Sequence, residues 1–174
     1  GDGGMVITND DSLEKKIRMI RAHGSKKRYY HELLGGNFRL DSIQAAALNV
    51  LIDEVDKWIE RRKRNAEYYL KNIKNSNIIS LPPKYDGNSW NQFVIRTKFR
   101  DELKNYLMEN GVEVFIYWNL ASHKQEVFRD LDFSDVSLPE TNKRCEEVLA
   151  IPVYPGLTNK ERKTIVKLIN DFKV

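Results

Sequence analysis

Residues 29–47 read YYHELLGGNFRLDSIQAAA, and this stretch is the most informative in the 174-residue chain. Two tyrosines and a histidine precede the glycine pair at 35–36, and polar residues follow at three positions, Asn37, Arg39 and Asp41. We predict that a helix begins at Asp41, because its carboxylate can cap the first turn while Gln44 closes a capping box. Polar side chains in a loop that leads into a helix N-terminus are typical of an anion-binding site.

Helical periodicity predicts an unusually long helix after this loop. Apolar residues recur at helical spacing from Ile43 towards Ile73, which gives a helix of roughly 33 residues and ~50 Å. A helix of that length usually connects two domains or lies along a subunit interface. Before the loop, residues 5–8 are predicted as a strand, and residues 11–14 have the spacing of a capping box that opens a shorter helix.

The rest of the chain alternates predicted strands and helices. Strands are predicted at 93–97 and 112–118, and helices at 100–110, 122–128 and 139–149. A last helix is predicted after Thr158, which has the spacing of a capping box with Glu161. The sequence therefore predicts an α/β protein that ends in a small α+β domain.

Composition indicates a globular chain: 41% of the residues are hydrophobic and 31% are charged. No apolar run approaches the roughly 20 residues that span a bilayer, and no signal-peptide pattern opens the chain. The single cysteine, Cys145, favours a reducing cytoplasm. The three histidines lack the helical spacing of metal ligands, so no metal site is predicted.

The net charge of +4 is unevenly distributed, because residues 1–75 hold 15 Lys/Arg against 11 Asp/Glu whereas the remainder is balanced. Three interpretations compete: a solvated helix face, contacts with nucleic acid, or a site for phosphorylated small molecules. The run from Lys26 to Tyr30 has the basic and aromatic composition of a single-strand binder. It is short and unrepeated, and charge runs are most often solvated surface.

Five segments carry a resemblance to a known family. They are GDGGMVITND at 1–10, DSLEKKIRMIRAHG at 11–24, the block at 29–47, the aromatic stretch at 111–125 and IPVYPGLTNKE at 151–161. In this order they resemble the C-terminal half of the DegT/DnrJ/EryC1/StrS family of sugar aminotransferases, enzymes of fold type I that use pyridoxal 5′-phosphate (PLP). The chain also lacks an initiator methionine, which fits a fragment.

The resemblance implies an organisation and a chemistry. Residues 1–40 would end the large PLP-binding domain, 41–75 would form the connecting helix, and 76–174 would form the small C-terminal domain. The enzyme would move an amino group, typically from glutamate, to a keto-sugar nucleotide in polysaccharide or deoxyaminosugar biosynthesis. Its catalytic lysine would lie just before Gly1, so we expect the fragment alone to be inactive and no catalytic residue to lie within it.

Asn37 is the main candidate for binding the cofactor. In the family that this chain resembles, the matching asparagine binds the PLP phosphate in the neighbouring subunit, which implies a homodimer with shared active sites. The alternative is a loop asparagine that adopts a positive φ after two glycines. Arg39 is a candidate for binding a carboxylate or phosphate of the substrate; equally, it could pair with Asp41.

Tyr117 and His123 are the other candidates for binding the substrate. The resemblance matches His123 to a histidine in the nucleotide-sugar pocket, with Tyr117 and Trp118 before it. Aromatic side chains can stack on a sugar or base, although core packing is the alternative for Tyr117. Residues at 119, 121 and 122 depart from the family pattern, and this leaves the identity of the sugar open.

Two other functions compete with the aminotransferase. A branch of the family carries histidine in place of the lysine and removes a sugar hydroxyl, and the deciding residue lies outside this sequence. The other is a non-catalytic module that binds nucleic acid through the basic run at 26–28, which we rank behind binding of small molecules.

Overall fold

The computed structural model describes residues 3–131 and 136–174, and the chain divides into two compact units, Gly1–Val55 and Asp56–Val174. The N-terminal unit contains α1 (Asp11–Ile20), β1 (Ser25–Lys27), β2 (Tyr30–His31), α2 (Ser42–Leu51) and a 3₁₀ turn (Ile52–Glu54). Strands β1 and β2 form an antiparallel hairpin. The first secondary structure in the described chain is thus α1.

The expected strand at 5–8 is wrong, since these residues adopt no regular structure. Met5 and Ile7 are 87% and 84% exposed, and within 3–131 and 136–174 no neighbouring strand pairs with them. A strand is stable only where a second strand takes up its backbone groups.

The cap of α1 lies one residue earlier than predicted. The Asp10 carboxylate accepts hydrogen bonds from the backbone amides of Ser12 at 2.8 Å and Leu13 at 3.1 Å. These backbone hydrogen bonds hold the pKa of Asp10 below its ordinary value. Asp11 is therefore the first helical residue, and its favourable effect comes from negative charge in the first turn.

The C-terminal unit is an α+β layer. Its elements are α3 (Val55–Asn72, of which the first residue belongs to the N-terminal unit), β3 (Ile78–Ser80), β4 (Phe93–Thr97), α4 (Arg100–Glu109), α5 (Pro139–Glu147), β5 (Val148–Ile151) and α6 (Asn159–Asp171). The strands form an antiparallel sheet in the order β3-β4-β5. Alternate residues of β4, at 93, 95 and 97, are fully buried, as the period of a strand requires.

One core joins this sheet to the helices. Tyr69 and Phe93 pack edge to face with ring centroids 5.1 Å apart, and Leu103 of α4 and Ile169 of α6 are fully buried against the same cluster. The predicted capping box at α6 is confirmed, because Thr158 accepts from the Glu161 amide and Glu161 accepts from the Thr158 amide. The predicted α/β class with a small α+β unit is confirmed as well.

The predicted single helix at 41–75 is interrupted, because the 3₁₀ turn Ile52–Glu54 separates α2 from α3. Residues of low helix propensity, valine, isoleucine and aspartate, concentrate at 50–56 between an alanine-rich and an arginine-rich stretch. Asp41 precedes α2, but its side chain accepts no capping hydrogen bond. The division into large and small domains stays a prediction.

Other segments are shorter or less regular than predicted. In 112–118 only Phe115 pairs, through two backbone hydrogen bonds with Ala150 of 3.0 and 2.8 Å. Residues 122–128 form two 3₁₀ turns, and α5 ends at Glu147 because Val148 enters β5 beside β4. Among helices of the described residues, none is long and apolar enough to cross a membrane.

Candidate cofactor loop and substrate cleft

The backbone around Asn37 is fixed against the end of α1. Asn37 and Ala22 form an isolated antiparallel bridge. On one side the His23 amide donates to the Gly36 carbonyl oxygen, and on the other the Phe38 amide donates to the Arg21 carbonyl oxygen, both at 3.0 Å. The loop that carries the candidate asparagine is therefore held in place on both sides.

Two glycines make this close approach possible. Gly24 is buried with φ +71°, and a Cβ built on it would lie 1.7 Å from the Leu33 carbonyl oxygen. A Cβ on Gly35 would lie 2.4 Å from the backbone nitrogen of Gly24. The chain thus passes itself at a distance that no side chain permits.

His31 closes the same segment from the hairpin. Its Nδ1 lies 2.8 Å from the His23 carbonyl oxygen and 2.8 Å from the Ser25 hydroxyl. A carbonyl oxygen only accepts hydrogen bonds, so the ring carries a proton on Nδ1 and donates it. The imidazole therefore ties the hairpin to the residue whose amide holds Gly36.

The side chains of Asn37 and Arg39 are exposed, and neither forms a hydrogen bond or ion pair with another residue in the described ranges. Asn37 is not among the described residues with a positive φ, so a left-handed turn does not explain its presence. Arg39 forms no ion pair with Asp41. Both side chains have hydrogen-bonding capacity that the described chain does not use.

A cleft of about 730 Å³ lies in the C-terminal unit, within the usual range of ligand pockets. We name it the C-terminal cleft, and its lining includes Arg62, Phe115, Tyr117, Tyr154, Lys160 and Glu161. Phe115 and Tyr117 stack with ring centroids 5.9 Å apart. Tyr117 is 44% exposed, which argues against core packing as its role.

The four candidates are divided between the two units. Asn37 and Arg39 belong to the N-terminal unit, and Tyr117 and His123 to the C-terminal unit. His123 is half-buried in a 3₁₀ turn (Ser122–Lys124) and does not line the C-terminal cleft. Tyr117 is thus the only one of the four candidates that lies on that cleft.

Sequence reasoning missed Arg62 and Tyr154. Arg62 belongs to the basic run at 61–64, a composition that favours solvated surface, yet its Nη1 donates to the Asn91 carbonyl oxygen at 3.0 Å and it lines the cleft. Its spacing of four residues from both Trp58 and Ala66 was the available signal, because that spacing puts it on the buried stripe of α3.

A buried polar network supports the wall that carries Tyr154. The Asn65 amide donates to the Tyr154 carbonyl oxygen at 3.0 Å, and the Tyr69 hydroxyl donates to the Pro152 carbonyl oxygen at 2.8 Å. Burial raises the pKa of Tyr69, so this hydroxyl stays a donor. These bonds fix the segment between β5 and α6.

The cleft does not offer a free helix N-terminus to an anion. Hydrogen bonds from the Thr158 side chain and backbone lower the pKa of Glu161, so its carboxylate stays charged at the start of α6. Among the described residues, no three His, Cys, Asp or Glu side chains cluster as metal ligands.

The fold is that of part of a PLP-dependent sugar aminotransferase. DesV from S. venezuelae superposes with a TM-score of 0.86 at 29% identity, over 95% of this chain and 45% of that one. A DegT DnrJ EryC1 StrS aminotransferase from Brucella abortus superposes with a TM-score of 0.83 at 27% identity, over 93% of this chain and 44% of that one.

The chain belongs to the DegT/DnrJ/EryC1/StrS aminotransferase family, which it matches over residues 1–170, as predicted. A pleiotropic regulatory protein from Geobacillus stearothermophilus is 40% identical over 99% of this chain and 47% of its own length. The dTDP-3-amino-3,6-dideoxy-alpha-D-galactopyranose transaminase of Aneurinibacillus thermoaerophilus is 33% identical over 98% of this chain and 47% of its own length. The chain spans about half the length of the curated relatives that it matches.

Proposed function

We propose that this chain is the C-terminal half of a PLP-dependent sugar aminotransferase. The complete enzyme would transfer an amino group from an amino acid, glutamate, to the keto group of a nucleotide-linked hexose in polysaccharide or deoxyaminosugar biosynthesis. The observation that carries the proposal is the Asn37 loop, which fixes the backbone of an exposed asparagine on both sides while leaving its side chain without a partner in the described chain. The family match supports the type of reaction.

The Asn37 loop fits the phosphate of PLP. A neutral amide donates a hydrogen bond to phosphate without burying a second charge. When bound, PLP would supply the electron sink for amino transfer. Asn37 would hold the phosphate end, whereas the lysine that holds the other end would lie before Gly1.

The substrate would contact the other candidates. Arg39 has free guanidinium donors that suit the carboxylate of glutamate or a phosphate. Tyr117 would stack on the sugar or base from the wall of the C-terminal cleft, where its ring is already paired with Phe115. His123 would donate a hydrogen bond to the same substrate, although it lies outside the cleft lining in the chain by itself.

The enzyme would be a homodimer with shared active sites, located in the cytoplasm. Helix α2 supports the need for further protein surface, because it has no buried residue and Ile43 is 86% exposed. A helix of ten residues is marginal without packing. The free thiol of Cys145 fits a reducing compartment.

The direct test is an absorption spectrum of the full-length protein with PLP, before and after glutamate. We expect a band of lysine-bound cofactor that glutamate converts to the aminated form. Absence of the band, with cofactor still bound, would favour the dehydratase, and absence of any cofactor binding would contradict the proposal. The present chain alone should show no turnover of glutamate and a keto-sugar nucleotide.

Replacement of Asn37 by alanine tests the cofactor contact. Losing one hydrogen bond to a charged phosphate costs about 1.5–3 kcal/mol, so the dissociation constant of PLP should rise by roughly 10- to 100-fold. Asn9→Ala is the matched control, since Asn9 is an exposed asparagine of the same unit that lies outside α2. Equal affinities of the two variants would remove Asn37 from the site.

A further inference from the structure

The hairpin at 25–31, sequence SKKRYYH, carries unused binding capacity beside the Asn37 loop. We name it the basic hairpin. Lys27 pairs with Tyr30 across it, so Arg28 and Tyr29 form a two-residue turn. Three consecutive cations, Lys26, Lys27 and Arg28, therefore lie at or beside its tip.

Tyr29 is under backbone strain at this tip. Its φ is +71°, a left-handed conformation that costs an L-residue free energy and that glycine or asparagine adopts more readily. Tyr29 is 77% exposed, so burial does not offset the cost. An exposed aromatic residue in a strained turn points to a contact that the chain itself does not make.

The cations of the tip are ordered but not neutralised. The Lys27 ammonium lies 5.2 Å from the centroid of the Tyr30 ring, and the Arg28 guanidinium lies 5.0 Å from that of Tyr29. None of the three cations forms an ion pair within the described chain, in contrast to Arg18, which pairs with Glu14 on α1. Cation–π contacts leave the N–H donors available to an anion.

The basic hairpin is attached to the segment that fixes Asn37. The amides of Glu32 and Leu33 donate to the Gly24 carbonyl oxygen at 2.9 and 3.2 Å. His31 binds the carbonyl oxygen of His23, whose own amide holds Gly36. Hairpin and loop are therefore parts of one fixed structure within the N-terminal unit.

We propose that the basic hairpin binds the nucleoside diphosphate of the nucleotide sugar, with Lys27 and Arg28 on the diphosphate and Tyr29 on the base. Cations hydrogen-bond phosphate strongly, and a tyrosine face accepts any base. Single-strand binding folds cover about 4–16 nucleotides, whereas this hairpin offers two rings, which suits one nucleotide. The inference rests on the proposed function, since it assigns part of its substrate.

The first test measures binding of UDP, dTDP and uridine to the full-length protein by titration calorimetry. The variant Lys27→Gln/Arg28→Gln should weaken UDP and dTDP by about tenfold or more, because it removes two charge-assisted contacts. The affinity for uridine, which has no phosphate, should fall much less than the affinities for UDP and dTDP. Lys15→Gln/Lys16→Gln, with the same loss of charge on exposed positions of α1, should bind like the unaltered protein.

The second variant separates binding from folding. Tyr29→Gly relieves the backbone strain, so the protein should unfold at the same or a higher temperature while its affinity for UDP and uridine falls. The inference is overturned if the hairpin variants bind UDP as tightly as the unaltered protein does, or if Lys15→Gln/Lys16→Gln weakens UDP as much as Lys27→Gln/Arg28→Gln. It is also overturned if the unaltered protein binds neither UDP nor dTDP. Tighter binding of a short single-stranded oligonucleotide than of UDP would also overturn it and favour nucleic acid.

The glutamate spectrum of the unaltered protein tests the proposed function separately. If glutamate converts the cofactor but the hairpin variants bind UDP normally, only the hairpin inference fails. If glutamate has no effect but the variants lose UDP, the aminotransferase assignment fails and the nucleotide site stands.

Discussion

Gly24→Ala should disrupt the Asn37 loop more than any other glycine substitution for which the structure offers a comparison. The added Cβ would meet the Leu33 carbonyl oxygen at 1.7 Å, and the residue would keep a φ of +71°. Because the atom met is backbone and not the end of a flexible side chain, relief requires the hairpin base to move. That movement breaks the hydrogen bonds that His31, Glu32 and Leu33 make to this segment.

The magnitude can be divided into two contributions. A left-handed backbone costs an L-residue about 1–2 kcal/mol, and the three lost hydrogen bonds add about 1 kcal/mol each, so Gly24→Ala should cost roughly 4–5 kcal/mol locally. Gly87→Ala isolates the first contribution, since its φ is +78° with no atom within 4 Å. Gly35→Ala isolates the steric clash. Its Cβ would lie 2.4 Å from the backbone nitrogen of Gly24, and Gly35 does not have a positive φ.

Amide hydrogen exchange measures the effect at the loop itself. We expect the amides of His23, Gly36 and Phe38, all hydrogen-bonded in the structure, to lose protection in Gly24→Ala and Gly35→Ala. They should keep it in Gly87→Ala, whose change lies in the other unit. Native-like protection of these amides in Gly24→Ala would refute the claim that this close approach holds the loop.

Three further predictions concern the C-terminal unit. Tyr69→Phe should lower the free energy of unfolding, measured in urea titrations, by about 1–3 kcal/mol, because the Pro152 carbonyl oxygen loses its donor at 2.8 Å. The control is Tyr106→Phe, which should leave the free energy of unfolding nearly unchanged, since the Tyr106 hydroxyl forms no hydrogen bond within the described residues. Asn75→Ala should speed amide exchange at the end of α6, where the Asn75 amide donates at 2.6 and 2.8 Å. Hydrogen bonds from Thr158 lower the pKa of Glu161, so the stability that its carboxylate contributes is present above the ordinary glutamate pKa and is lost as the pH falls through the lowered value. In Glu161→Gln, the melting temperature should therefore fall less steeply as the pH is lowered. The first prediction fails if Tyr69→Phe and Tyr106→Phe are equally stable. The second fails if Asn75→Ala leaves amide exchange in α6 unchanged, and the third fails if Glu161→Gln leaves the pH dependence of the melting temperature unchanged.

Features that depend on neighbours in sequence were predictable. The box at Thr158 and Glu161 forms as expected, because both partners lie within one helical turn. Helix α4 ends at Glu109 before Gly111, which adopts a φ of +76°. Strand β4 occupies the predicted residues, since its alternating apolar side chains fit a half-buried surface.

Features that depend on residues distant in sequence were not predictable from the sequence. Residues 5–8 have a strand-like composition but no strand beside them in the described chain. In 112–118 only one residue, Phe115, bridges to Ala150, although β4 occupies only the other edge of β5. The C-terminal cleft brings Arg62 and Tyr154 together from positions far apart in sequence, and no local pattern encodes that meeting.

The structure bears most directly on the alternatives that the sequence left open at the candidate site. A positive φ would have explained Asn37 without any ligand, but Asn37 does not have one. Core packing would have explained Tyr117, but its ring is substantially exposed on a cleft wall. A pair with Asp41 would have explained Arg39, but no such pair forms. With each of these structural explanations removed, the exposed donors of Asn37 and Arg39 and the open face of Tyr117 are available to the ligands that the proposed aminotransferase would bind.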